Sequence, residues 1–143
     1  MKVASIGKCR IELSQVTDGV FARGFSDTLN TAVYLSRLGV DTTYVTALGD
    51  DALSSTMATN WNAEGIDTRQ VLRVPGALPG LHMIERNTKG ERSFLYWRSQ
   101  APARRFFDLA DDATDRLSRF DWLYLSGIRL VASGRAGSRR RAA

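Results

Sequence analysis

One stretch, SDTLNTAVYLSRLGVDTTYVTALGDD from Ser26 to Asp51, constrains the fold more than any other part of the chain. Leu29, Ala32, Val33, Leu35 and Leu38 recur at the spacing of one helical face, which predicts a helix over about Asp27–Leu38. Ser26 or Asp27 is placed to cap it, and Gly39 stands where helices end in a left-handed residue. Thr42–Ala47 is β-branched and apolar, reads as a strand, and stops at Gly49. A second helix is predicted from about Asp51 to Ala63, with Leu53, Met57 and Trp61 on one face and Gly65 behind them. Helix, glycine, buried strand, acidic turn and helix together make one step of an alternating α/β protein.

The flanking segments read differently. Lys2–Gly7 and Arg10–Leu13 form a first strand, or one strand with a bulge, ending near Glu12. Ser14–Phe25, with Gly19 and Gly24, reads as a loop. Thr68–Val74, Leu81–Arg86 and Glu91–Trp97 are three predicted strands, the last two joined by the Asn87–Gly90 turn. Strands in succession inside an α/β rhythm predict a small antiparallel sheet over about residues 68–98, standing apart as a lid. A linker around Pro102 leads to a helix with Asp111, Asp112 and Asp115 in its first turns, then to a buried-type strand, WLYLS, at Trp122–Ser126. Residues 1–130 are expected to form one domain, and 131–143, without periodicity, a basic disordered tail.

Composition excludes several function classes. A chain of 143 residues has one domain's length. With one cysteine, Cys9, there is no internal disulfide, and with one histidine, His82, no Cys/His cluster of the zinc-binding kind. No apolar run approaches the ~20 residues that span a bilayer, and the N-terminus has no signal-peptide layout, so a cytoplasmic protein is expected. The net charge of +5 invites a nucleic-acid partner, but its distribution argues against one. The charges of the first 128 residues cancel, and the excess comes from Arg129, Arg135, Arg139, Arg140 and Arg141 in the tail.

Phosphate chemistry needs oriented N–H groups or cations. The chain has neither a GxxxxGKS/T loop nor GxGxxG, and no GxSxG elbow. Cys9, in a first strand, is read as a small core residue and not as a nucleophile paired with His82. Glu12, Asp27 and Asn30 are more informative, because ligands of open α/β sheets bind beyond the strand ends, and a polyhydroxylated ligand needs such acceptors. Asp27 either caps the helix or holds a ligand; Asn30 sits where an amide disfavours a helix unless it bonds elsewhere. Tyr96 and Arg98, two apart on one strand, share a face. Either they close over an anionic, hydroxylated ligand with Arg98 pairing its carboxylate, or they are a cross-strand aromatic and a solvated cation. Arg104 and Arg105 are read as surface charges.

The segments GKCRIEL (Gly7–Leu13), DTLNTAVYLSRLG (Asp27–Gly39), YVTALGDD (Tyr44–Asp51), LPGLHMIE (Leu78–Glu85), GERSFLYWRSQAPAR (Gly90–Arg104) and LYLSGI (Leu123–Ile128) resemble the ribokinase-like carbohydrate kinases, and more narrowly the branch acting on 2-keto-3-deoxygluconate. The resemblance implies a Rossmann-like αβα core with a β-sheet lid, and transfer of the γ-phosphate of ATP, with Mg²⁺, to a sugar hydroxyl. Carried over by position, Ser26, Asp27 and Asn30 fall in the sugar-binding loop and helix, and His82, Tyr96 and Arg98 in the lid strands that contact an acidic sugar. Three positions depart from the pattern: Ser26 stands where the family has glycine, His82 where Tyr is common, and Lys8 where Glu is frequent. The family's catalytic Asp, GAGD-type anion hole and ATP site come later than the part matched here. The expectation is therefore an N-terminal fragment with no catalytic residue, little ATP or Mg²⁺ binding of its own, an acidic sugar as ligand, and subunit contacts through the lid. A kinase fragment for another sugar, and a non-catalytic sugar-binding or dimerisation module, are the alternatives.

Overall fold

The computed structural model describes residues 1–17 and 19–126, with residues 23 and 25–27 described through the backbone alone. The predicted tail lies outside these described residues. Two four-stranded sheets are formed. The first is wholly parallel and contains β1 (Lys2–Ile6), β4 (Asp41–Gly49), β5 (Val71–Val74) and β8 (Trp122–Leu125) in the order β5-β4-β1-β8. The second contains β2 (Cys9–Thr17), β3 (Val20–Asp27), β6 (Gly80–Arg86) and β7 (Arg92–Trp97) in the order β3-β2-β6-β7. Two antiparallel hairpins, β2–β3 and β6–β7, are joined there by parallel pairing of β2 with β6. Only Gly7 and Lys8 separate β1 in one sheet from β2 in the other.

Between β3 and β4 runs α1 (Leu29–Arg37), and between β4 and β5 runs α2 (Ala52–Ala63). Short helical turns at Pro102–Arg105, α3 (Phe106–Leu109) and α4 (Ala113–Leu117) precede β8. Strand β4 is buried from Thr42 to Gly49, as a central parallel strand covered on both faces must be. On one face Tyr44, Leu48, Met57 and Trp61 pack with Leu29, Ala32, Cys9 and Ile11, so this core runs continuously into the second sheet. On the other, Ala4, Ile6, Val45 and Ala47 meet Phe106, Ala110 and Ala113. Among the described residues no helix is long and apolar enough to cross a membrane.

The α/β rhythm and the small second sheet are as expected, and three boundaries differ. Ser14–Phe25 is not a loop but most of the β2–β3 hairpin, with a register irregularity between Gln15 and Thr17. Thr68–Val74 does not belong to the lid: its strand, β5, pairs with β4 at the edge of the parallel sheet. The first helix is capped at Thr28, because Ser26 and Asp27 are still paired with Arg10 and Cys9 in β3. Strand β8, expected to be buried, has Trp122 66% exposed, with Leu123, Tyr124 and Leu125 exposed beside it. It pairs with β1 on one side only among the described strands.

Candidate functional site

Strand pairing in the second sheet places polar side chains in a common face. Glu12 of β2 is opposite His82 of β6, and His82 is opposite Tyr96 of β7, so the three stand in one row across three strands. Nε2 of His82 lies 3.1 Å from Oε2 of Glu12, and the other carboxylate oxygen accepts from the Ser14 hydroxyl at 2.8 Å. The imidazole stacks on the Tyr96 ring with centroids 6.0 Å apart and planes 23° from parallel. Phe94 continues the stack, 6.2 Å from Tyr96 and within 7° of its plane. The Arg98 guanidinium lies over the Tyr96 ring, 4.4 Å from its centroid, and that of Arg10 is 5.9 Å from it. A guanidinium over a half-exposed phenol ring is a cation–π contact worth ~0.5–1 kcal/mol, enough to bias a side chain without burying it.

Burial separates the roles. His82 is only 5% exposed, whereas Tyr96 is 47% exposed and presents an open ring. Gly80 is packed closely, and a methyl group there would stand 3.4 Å from the Cβ of Arg98, the Cβ of Ala101 and the Cγ of Arg10, at ordinary contact distance. The alternating residues Ile11, Leu13, Leu81 and Trp97 lie on the other face and line a groove of about 730 Å³ that also meets Leu53 of α2. A second hollow, bordered by Lys8, Arg10, Arg98 and Arg104, is about 10 Å³, room for one water at most. The groove has a ligand's volume, and Tyr96, Arg98, Ser99 and Gln100 line it beside the apolar residues. The chemistry suited to a polyhydroxylated anion is that of Tyr96 and Arg98.

Of the residues singled out from the sequence, His82, Tyr96 and Arg98 come together, and Glu12 joins them. Glu12 lies inside β2, not beyond a strand end, and both its oxygens already accept protein hydrogen bonds. Ser26 is placed by its backbone opposite Arg10, and Asp27 opposite Cys9, at the lid edge where β3 turns into α1. Asn30 is exposed in the first turn of α1. The sequence reading missed Arg10 and Ser14. Their signal was the i, i+2 spacing with Glu12, legible only once the strand is known to run on to Thr17.

Among the described residues no group of three or more His, Cys, Asp or Glu side chains could hold a metal ion. The N-terminus of α2 is closed by its own cap, since Asp51 accepts from the amides of Leu53 and Ser54 at 2.9 and 3.0 Å. A carboxylate there repels the phosphate that an open helix start would attract. The start of α2 therefore offers a phosphate no open amides from Leu53 and Ser54.

A parallel sheet joined to a second four-stranded sheet is the fold of this chain, and sequence comparison gives its class. The profile of the pfkB family carbohydrate kinases matches residues 2–139, and the chain belongs to that family. Its relatives include proteins named 2-dehydro-3-deoxygluconokinase from Dickeya dadantii, 46% identical over 145 residues that cover 96% of this chain and 46% of that one, and from Escherichia coli K12, 45% identical over 137 residues that cover 91% and 44%. The chain thus spans about half the length of the curated relatives it matches. A solved pfkB family carbohydrate kinase from Listeria grayi shares the fold with a TM-score of 0.81 at 21% identity, covering 93% of this chain and 44% of that one. The solved 2-dehydro-3-deoxygluconokinase of Thermotoga maritima does so with a TM-score of 0.74 at 24% identity, covering 90% and 41%.

Proposed function

We propose that the chain is the sugar-holding part of a kinase whose acceptor is 2-keto-3-deoxygluconate. The observation that carries this reading is Arg98 held over Tyr96 at 4.4 Å on one face of the lid. A planar cation beside an open aromatic plane matches a ligand with a carboxylate at one end and a carbon skeleton behind it. In this reading Arg98 pairs the carboxylate and Tyr96 lies against the sugar. Asp27 and Asn30, at the turn where β3 enters α1, take hydroxyl groups, and the Ser26 backbone borders them. The names carried by the Dickeya and Escherichia relatives support the same substrate.

Phosphoryl transfer needs a general base near the acceptor hydroxyl and donors for the moving charge. In this reading Arg98 is taken by the carboxylate, and His82 and Glu12 are taken by each other. The chain alone is expected to bind the sugar acid and not to phosphorylate it. Calorimetric titration with 2-keto-3-deoxygluconate and with fructose tests the first part. Arg98→Ala is expected to weaken the acid at least tenfold; unchanged affinity would favour a neutral-sugar kinase instead. An ATP-coupled assay on the purified chain tests the second, and turnover there would refute it.

The opposite face of the lid exposes Leu95 and Trp97, which supports a contact between two copies. Light scattering decides this: a dimer without sugar affinity would favour the binding-module reading.

A further inference from the structure

The buried His82 has two nitrogens with different surroundings. Nε2 faces the Glu12 carboxylate at 3.1 Å, while Nδ1 is buried with no hydrogen-bond partner. A carboxylate accepts hydrogen bonds, so the contact with Glu12 favours hydrogen on Nε2. Glu12 is itself oriented by Ser14 through its other oxygen. The ring so fixed lies flat against Tyr96, and Tyr96 carries Arg98 on its face. At 5% exposure the imidazole is covered, whereas Tyr96 is exposed and Arg98 half-buried.

From this we infer that His82 and Glu12 are positioning residues: they do not grip the ligand but set the plane of Tyr96, and through it the direction of Arg98. The inference rests on the reading of Arg98 as the carboxylate clamp. It assigns a task to the buried imidazole of the lid face, which bonds backward to Glu12 and leaves recognition to its neighbours. Specificity for acidic over neutral sugars then depends on a side chain that touches neither.

The test uses the full chain and three variants, His82→Ala, His82→Phe and Glu12→Gln. His82→Phe keeps the stacking area, and Glu12→Gln keeps the shape of its partner. His82 is the only histidine of the chain, so its ring nitrogens give a single set of NMR signals. The expected wild-type signature is one tautomer with hydrogen on Nε2, giving way to a mixture in Glu12→Gln. Ring current from Tyr96 is expected to displace the Arg98 side-chain proton signals, and His82→Ala to reduce that displacement. In titrations, His82→Ala and Glu12→Gln are expected to weaken 2-keto-3-deoxygluconate roughly three- to tenfold and to leave fructose within twofold, with His82→Phe between them and wild type.

Unchanged Arg98 signals in His82→Ala, or a mixed tautomer in wild type, would overturn the inference even without ligand. Undiminished sugar-acid affinity in Glu12→Gln beside a large loss in Arg98→Ala would overturn it too, while leaving the clamp intact. A wild-type chain that binds no sugar acid would instead refute the clamp, and the Arg98 signals would still decide the positioning.

Discussion

At the scale of single residues, Gly7 shows how closely the two sheets are joined. A methyl group at this position would stand 1.5 Å from Oγ1 of Thr28 and inside contact distance of its Cβ and Cγ2. Thr28 cannot step aside, because it is buried and its hydroxyl is 2.9 Å from the Tyr44 hydroxyl. The glycine is required for room and not for an unusual backbone angle, since it is absent from the positive-φ glycines. Gly7→Ala is expected to destabilise the chain by ~1–3 kcal/mol, the usual cost of an extra carbon in a packed core. A thermal melt followed by circular dichroism checks this. Thr28→Gly in the same chain, which removes all three opposing atoms, should recover part of the loss. Because Thr28 begins α1, the substitution should also disturb the turn that carries Asp27 and Asn30.

Single elements show which parts of the fold are local in origin. The second helix was legible from its residues: Asp51 caps it, Met57 and Trp61 are buried, and Gly65 follows with φ of 77°. Burial raises the Asp51 carboxyl, but hydrogen bonds from the Ser54 hydroxyl and from backbone amides outweigh it and hold the group below its ordinary value. A depressed carboxylate stabilises the fold above the unfolded value of about 3.9, and that contribution is lost as pH falls through the folded value. Asp51→Ala is therefore expected to cost about 1 kcal/mol at neutral pH. The gap in melting temperature from wild type should be constant above about pH 5 and narrow below about pH 4. Asp51→Asn, which keeps an acceptor oxygen, should lose less and show less of this pH dependence.

The lid hairpins were less legible because their order is imposed from a distance. Gly19 and Gly24 make the segment look like a loop, and only its pairing with β3 shows that β2 continues to Thr17. For the same reason β5 could not be assigned from its own sequence. Val71–Val74 has the composition of a lid strand, but its partner is β4. Of the candidate site, the Tyr96–Arg98 pair followed from the two-residue repeat of a strand. The link from Glu12 to His82 did not, since those residues are 70 positions apart.

At the scale of the whole molecule, the notable feature is the edge of the parallel sheet. Trp122, Leu123, Tyr124 and Leu125 are all exposed on a strand with one described neighbour. Unpaired N–H and C=O groups beside apolar side chains are a template for pairing with another chain. The purified chain is expected to self-associate with rising concentration. Leu123→Lys should move the onset of association upward, as followed by light scattering and by the emission of Trp122. A clean monomer with a sharp melting transition at high concentration would count against this.

The parallel pairing of β2 with β6 also has a consequence in time. The hairpins close within themselves, but the seam between them joins segments about 70 residues apart. Long-range pairing of this kind is slow, because a long loop must close before any contact rewards it. During synthesis the row from Glu12 to Tyr96 cannot exist until the ribosome has passed Arg98 and that residue has left the exit tunnel. Until then the nascent chain offers the β6-facing edge of its early hairpin, from Arg10 to Ser14, to whatever chaperone or neighbour it meets.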